Sequence, residues 1–167
     1  MKRVFSLLLF VFLTMSVVAQ QRMNFLGKPL GCSISTFKQR MVAKGYKYKG
    51  EVETNIYYFD GVFGGDDVTI GACVSPKSKT VYRIAVVYTN ISDYSRKDID
   101  IKKELLKTSF INKYGFYPIE DDEFTSWYFD YGTIHIKTEY SGSTKIIIWY
   151  CDSLAEEKYK REQESDY

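Results

Sequence analysis

The feature that most limits what this chain can become is a stretch written twice. Residues 45–60 read GYKYKGEVETNIYYFD and residues 115–130 read GFYPIEDDEFTSWYFD. They align without a gap at an offset of 70, with Gly45/Gly115, Glu53/Glu123, Tyr58/Tyr128, Phe59/Phe129 and Asp60/Asp130 identical. Repetition of one supersecondary unit is the natural reading of such a match. It divides the chain into repeat one, about 25–90, and repeat two, about 95–152, inside a single α+β domain spanning 20–153.

The flanking patterns give each unit its parts. Ser33 can cap a helix whose Ile34, Phe37 and Met41 share one side, and Gly45 can take the left-handed position after its last turn. Ser95 and Asp98 have capping-box spacing, with Ile99, Leu106, Phe110 and Tyr114 as the apolar side and Gly115 as the stop. Each glycine is followed by a polar, acidic linker. Three strand-like runs come next in each half: 55–63, 67–75 and 80–89, then 125–131, 133–140 and 144–151. They are rich in Tyr, Val, Ile and Thr and separated by Gly, Pro and Ser turn residues. The predicted fold is α+β: two tandem repeats of one helix followed by a three-stranded antiparallel meander, with the helices on one face of the sheet. The mixed-charge segment 154–167 reads as a solvated helical extension or a disordered tail.

Strand alternation assigns the faces. Phe59, Val68, Ile70, Ile84, Val86, Phe129, Ile134, Ile136, Ile146 and Ile148 should meet the helices. The opposite face should carry Tyr58, Asp60, Thr69 and Arg83 with Tyr128, Asp130, His135, Lys137 and Trp149. Of the three cysteines, Cys73 and Cys151 fall on that same face, which favours 73–151 among the three pairings. Parity leaves open whether their Cα atoms come within the roughly 4.4–6.8 Å a disulfide needs.

The first residues, MKRVFSLLLFVFLTMSVVAQ, have a positive head, an apolar run of 15 residues and small residues at 17 and 19. This is the pattern of a signal peptide, residues 1–19, cut after Ala19, and it predicts a periplasmic or secreted protein with no membrane span after cleavage. A run of that length falls short of a bilayer core of roughly 30 Å. Leu30-Gly31-Cys32 imitates a lipoprotein box, yet lies well beyond the apolar run. Removing 19 of 167 residues leaves 148, and the loss of Lys2 and Arg3 leaves 21 basic residues against 21 acidic ones. A formally neutral chain lacks the excess positive charge of a nucleic-acid binder.

Catalytic signatures are thin. His135 is the one histidine, and nothing of the G-x-S-x-G kind points to a nucleophile for it. Glu120–Glu123 is a run of four acids without the alternating spacing or glycine of a calcium loop. Gly64-Gly65-Asp66-Asp67 lacks the lysine and helix start of a phosphate loop. Asp60 and Asp130 suggest a carboxylate pair but read as turn-capping residues at strand ends. No metal or cofactor is expected. Aromatic residues make up 17% of the chain, more than a small meander can bury, so an exposed aromatic strip on the sheet is expected.

Tandem helix-plus-sheet units, with the doubled Tyr-Phe-Asp, resemble the β-lactamase-inhibitor-protein fold over residues 33–151. The related small lipoproteins of outer-membrane assembly share the unit, and the leader and the aromatic-rich strands also suit small secreted domains of Gram-negative bacteria. The resemblance implies a sheet whose open face binds another protein. Three cysteines depart from the inhibitors' two in-repeat disulfides, and β-lactamase inhibition is not implied. The expected function is a non-catalytic binding module of the bacterial cell envelope, gripping a protein partner through Tyr58, Arg83, Tyr128, His135 and Trp149. A glycan-binding accessory module using the same aromatics is the alternative, and a small enzyme using His135 is a third reading.

Overall fold

The computed structural model describes residues 21–88, 95–140 and 144–165. The leader and the turn at 141–143 lie outside the described residues. Helix α1, Ile34–Ala43, starts where Ser33 Oγ accepts from the Thr36 amide, and Gly45 follows it at φ 87°. Helix α2, Arg96–Tyr114, starts at the Ser95/Asp98 capping box and ends at Gly115, φ 78°. A positive φ is costly for any residue with a Cβ, which is why both helices stop at glycine.

The strands are β1 (Asn24–Phe25), β2 (Lys28–Pro29), β3 (Lys47–Glu53), β4 (Ile56–Phe63), β5 (Asp66–Val74), β6 (Val81–Tyr88), β7 (Ile119–Glu120), β8 (Phe124–Phe129), β9 (Gly132–Glu139) and β10 (Lys145–Asp152). Strands β1 and β2 form a small hairpin. The other eight form one antiparallel sheet in the order β3-β4-β5-β6-β10-β9-β8-β7. The halves meet at β6 and β10, where Ile148 lies opposite Val86 and Tyr150 opposite Ile84.

Two helix-plus-three-strand repeats are therefore not what forms. The segment expected as the first acidic linker, Lys47–Glu53, is the edge strand β3, so the first half gives four strands to this sheet. In the second half the corresponding strand β7 is two residues long. Nor do all helices lie on one face. A third helix, α3 (Ser153–Glu164), forms from the segment expected as a solvated or disordered tail and packs on the opposite side of the sheet. Its cap is Asp152, whose Oδ1 accepts from the Ala155 amide at 2.9 Å.

The inner face is dry. Phe59, Ile70, Val86, Ile148 and Ile136 form one buried row, and Ala72, Ile84, Tyr150, Ile134 and Trp127 the next. Helix α1 contributes Phe37 and Met41; Phe37 meets Phe59 edge-on at 5.7 Å. Helix α2 contributes Ile99 and Phe110, with Phe110 5.2 Å from Trp127. The β1–β2 hairpin fills the space between them: Phe25 stacks on Phe63 and meets Tyr150 edge-on. Burying each large apolar side chain stabilises the fold by about 1.5–3 kcal/mol.

Candidate functional site

The outer face is built from small and large residues in register. One row runs Tyr58, Gly71, Ala85, Trp149, His135, Ser126 across β4, β5, β6, β10, β9 and β8. Tyr58 and Trp149 therefore stand about 14 Å apart, at roughly 4.8 Å per strand, with two nearly side-chain-free positions between them. The small positions are covered rather than open: Gly71 is buried, with the Tyr58 ring and the Ile56 side chain 3.6 and 3.5 Å from where its Cβ would stand. The Tyr58 hydroxyl donates to Glu53 Oε1 at 2.8 Å. Burial, reinforced by that carboxylate, pushes its pKa up to about 12, so it stays a phenol. The Trp149 indole N–H is buried and has no hydrogen-bond partner among the described residues.

Beyond Trp149 aromatic rings form a wall. The His135 ring lies 5.7 Å from Phe124 and 6.0 Å from Tyr128, both edge-on, and Phe124 is 6.4 Å from Trp149. Tyr128 is 56% exposed, the most accessible aromatic of the group. His135 Nδ1 is 2.9 Å from Ser126 Oγ, and Nε2 is 2.9 Å from Thr133 Oγ1. A neutral imidazole donates through one nitrogen and accepts through the other, so these hydroxyls fix the ring's plane. Burial, with Arg83 nearby, lowers the His135 pKa and keeps it neutral at pH 7. The Ser126–His135 spacing is that of a nucleophile and its base. Ser126 is only 3% exposed, however, and the third group is a threonine hydroxyl rather than an orienting carboxylate.

The next row is different. It runs Ile56, Cys73, Arg83, Cys151, Thr133, Tyr128, and α3 lies across its centre. Glu156 Oε1 accepts from Arg83 Nη2 at 2.9 Å, and Tyr159 stacks on Tyr82 at 4.4 Å. Glu162 takes the Ser75 hydroxyl and the Ser78 amide, and Lys77 donates to Ser165. Arg83, expected as a free contact residue, is half-buried in this docking. Its guanidinium also lies 5.5 Å from the Trp149 ring, so it backs the aromatic wall from behind. Between α3 and β4–β5 a cavity of about 400 Å³ opens toward Cys73, Tyr82 and Tyr159.

The expected Cys73–Cys151 disulfide does not form; all three cysteines are free thiols. The register explains why. Cys73 and Cys151 are both opposite Arg83, on either side of β6. Two strand spacings separate them, roughly 10 Å, beyond what a disulfide spans. Asp60 and Asp130 also do different work. Asp60 sits within β4, accepting from Thr69 Oγ1 at 2.9 Å with Lys49 at 3.2 Å, whereas Asp130 is exposed in the β8–β9 turn.

Sequence reasoning placed Tyr58, Tyr128, His135 and Trp149 on the outer face, where they lie. It missed Phe124, Tyr82 and Tyr159. Phe124 was readable from parity with Tyr128 had β8 been started one residue earlier. Tyr82 was not, because a bulge between β5 and β6 turns it outward. Among the described residues, no group of three His, Cys, Asp or Glu side chains could hold a metal ion, and no helix is long and apolar enough to cross a membrane. No protein-family model, curated protein or solved structure gives a significant match to this chain.

Proposed function

We propose that this is a non-catalytic binding module of the cell envelope or the space outside it, and that its outer sheet face grips a protein partner. The observation that supports the reading is the uncovered half of that face. There Trp149, His135, Phe124 and Tyr128 form one run of neighbouring rings, with Tyr58 across Gly71 and Ala85 from it. Aromatic rings held by neighbouring rings and strands give large contact area with little entropy left to lose, which is how binding energy is concentrated in a few residues. The leader sequence supports the location.

The test is capture from envelope extract with wild-type protein and with the double variant Tyr128→Ala, Trp149→Ala. The partner should be lost from the variant, and equal recovery by both would rule out this face. One observation also favours a glycan reading: the exposed Tyr128 ring, with Phe124 and Trp149 in the same cluster, offers an aromatic surface on which a sugar ring can stack. Binding on a glycan array, abolished by Trp149→Ala, would move the assignment to that class.

A further inference from the structure

The other side of the sheet carries an unassigned cleft of about 380 Å³ between α2, the ends of β4 and β6, and Tyr150 of β10. Its size falls within the roughly 300–1,000 Å³ of small-molecule pockets. Its walls are Phe63, Leu105, Leu106 and Phe110. Lys102 and Lys113, both on α2, also line it. Eleven residues separate them, about 16 Å at 1.5 Å per residue, so the cleft is elongated with an ammonium toward each end.

The two ends differ in charge. Lys102 is paired with Asp66, so that end is neutral. Lys113 has no carboxylate partner among the described residues; its ammonium rests 4.8 Å from the Tyr114 ring. The Lys102 end holds a second unspent group. Tyr88 is 1% exposed, and its hydroxyl, at the Gly64 turn on the floor of the cleft, has no hydrogen-bond partner among the described residues. Burial and the Asp66 carboxylate push this phenol upward, so at neutral pH it is an O–H donor. A buried donor left unmade costs free energy that a bound acceptor would recover.

We infer that this cleft binds an elongated amphipathic monocarboxylate: the carboxylate on Lys113, the apolar body along Leu105, Leu106, Phe110 and Phe63, and a polar group at the far end on Tyr88. The charge balance decides the orientation. A carboxylate at the Lys102 end would face Asp66, whereas at the Lys113 end it meets an unneutralised cation. The cleft lies across the sheet from the aromatic face, so the two assignments stand or fall separately.

The probes are decanoate and 10-hydroxydecanoate, titrated below their micellar concentrations into the full chain by calorimetry. Both should bind one per chain, the hydroxy acid at least about fivefold more tightly. Lys113→Glu should weaken both at least tenfold while Lys113→Arg binds as wild type. Ser109→Trp, at an exposed position lining the cleft, should plug it and abolish binding with the thermal transition unchanged. Tyr88→Phe should erase the preference for the hydroxy acid without abolishing decanoate binding. Absence of saturable binding, or binding indifferent to Lys113→Glu or to Ser109→Trp, would overturn the proposal.

Discussion

The two faces of the eight-stranded sheet are made from the same strands and held by different forces. The inner face is a close-packed layer of Ile, Val, Phe and Trp beneath α1, α2 and the β1–β2 hairpin. The outer face is covered over only part of its area, by α3, through a ring stack, an ion pair, a carboxylate accepting from a turn and a lysine donating to Ser165. Apolar burial is non-directional and adds up residue by residue; polar docking depends on a few bonds, each modest on its own. The comparison teaches that the inner face carries most of the stability, while the outer face adds to it through a few directional contacts.

The sharpest way to break that division is Phe59→Ala. The side chain is fully buried where α1 crosses the sheet, and its loss should cost about 3–5 kcal/mol in denaturant unfolding. A cost under 1 kcal/mol would show that the inner layer is not the core. Gly132→Ala comes next: a Cβ there would meet the Cys151 carbonyl oxygen at 2.1 Å, and the forced shift should cost about 3 kcal/mol.

On the outer side the effects shrink. Tyr159→Ala removes the stack on Tyr82 and should cost about 1 kcal/mol, with faster amide exchange in α3 and unchanged exchange in β5. Acid should act on the same helix. Glu162 is held down to about 2 because the Ser75 and Ser78 donors outweigh the opposing effect of burial. Its folded pKa lies below the unfolded value, so its contribution is complete above about pH 4.5. It fades as pH falls toward 2. Glu162→Gln should flatten that part of the unfolding profile. Smallest of all, Tyr128→Ala should leave stability within about 0.5 kcal/mol of wild type; a larger loss would mean that the face is structural.

Much of the fold was legible because caps and alternation are local. Ser33, Ser95, Gly45 and Gly115 mark helix ends through their own side chains and dihedrals, and the period-two pattern sorts Phe59 from Tyr58 without knowledge of partners. Strand β3 was not legible. An edge strand needs few apolar residues, and KYKGEVE, broken by Gly50 and two bulges, reads as a linker. Its counterpart was cut to two residues by Pro118, which cannot donate to a ladder, and by Asp121, which accepts the Glu123 and Phe124 amides instead. Helix α3 was hidden for another reason. Its contacts run through Glu156, Tyr159 and Glu162, and polar anchors leave no mark on a hydropathy period. The candidate site was half legible: parity found the face, but only α3 decides which part of it stays open.

Asp152 ties distant parts of the chain together. Its fully buried carboxylate accepts from Arg22 at 2.7 Å, from the Met23 amide at 3.0 Å and from the first turn of α3. The earliest described residues and the last helix thus share one anion. Trimming the chain past Met23 would strip two of its three donors and loosen the helix on the far side of the sheet, so damage at one terminus would be felt as an enlarged opening at the other.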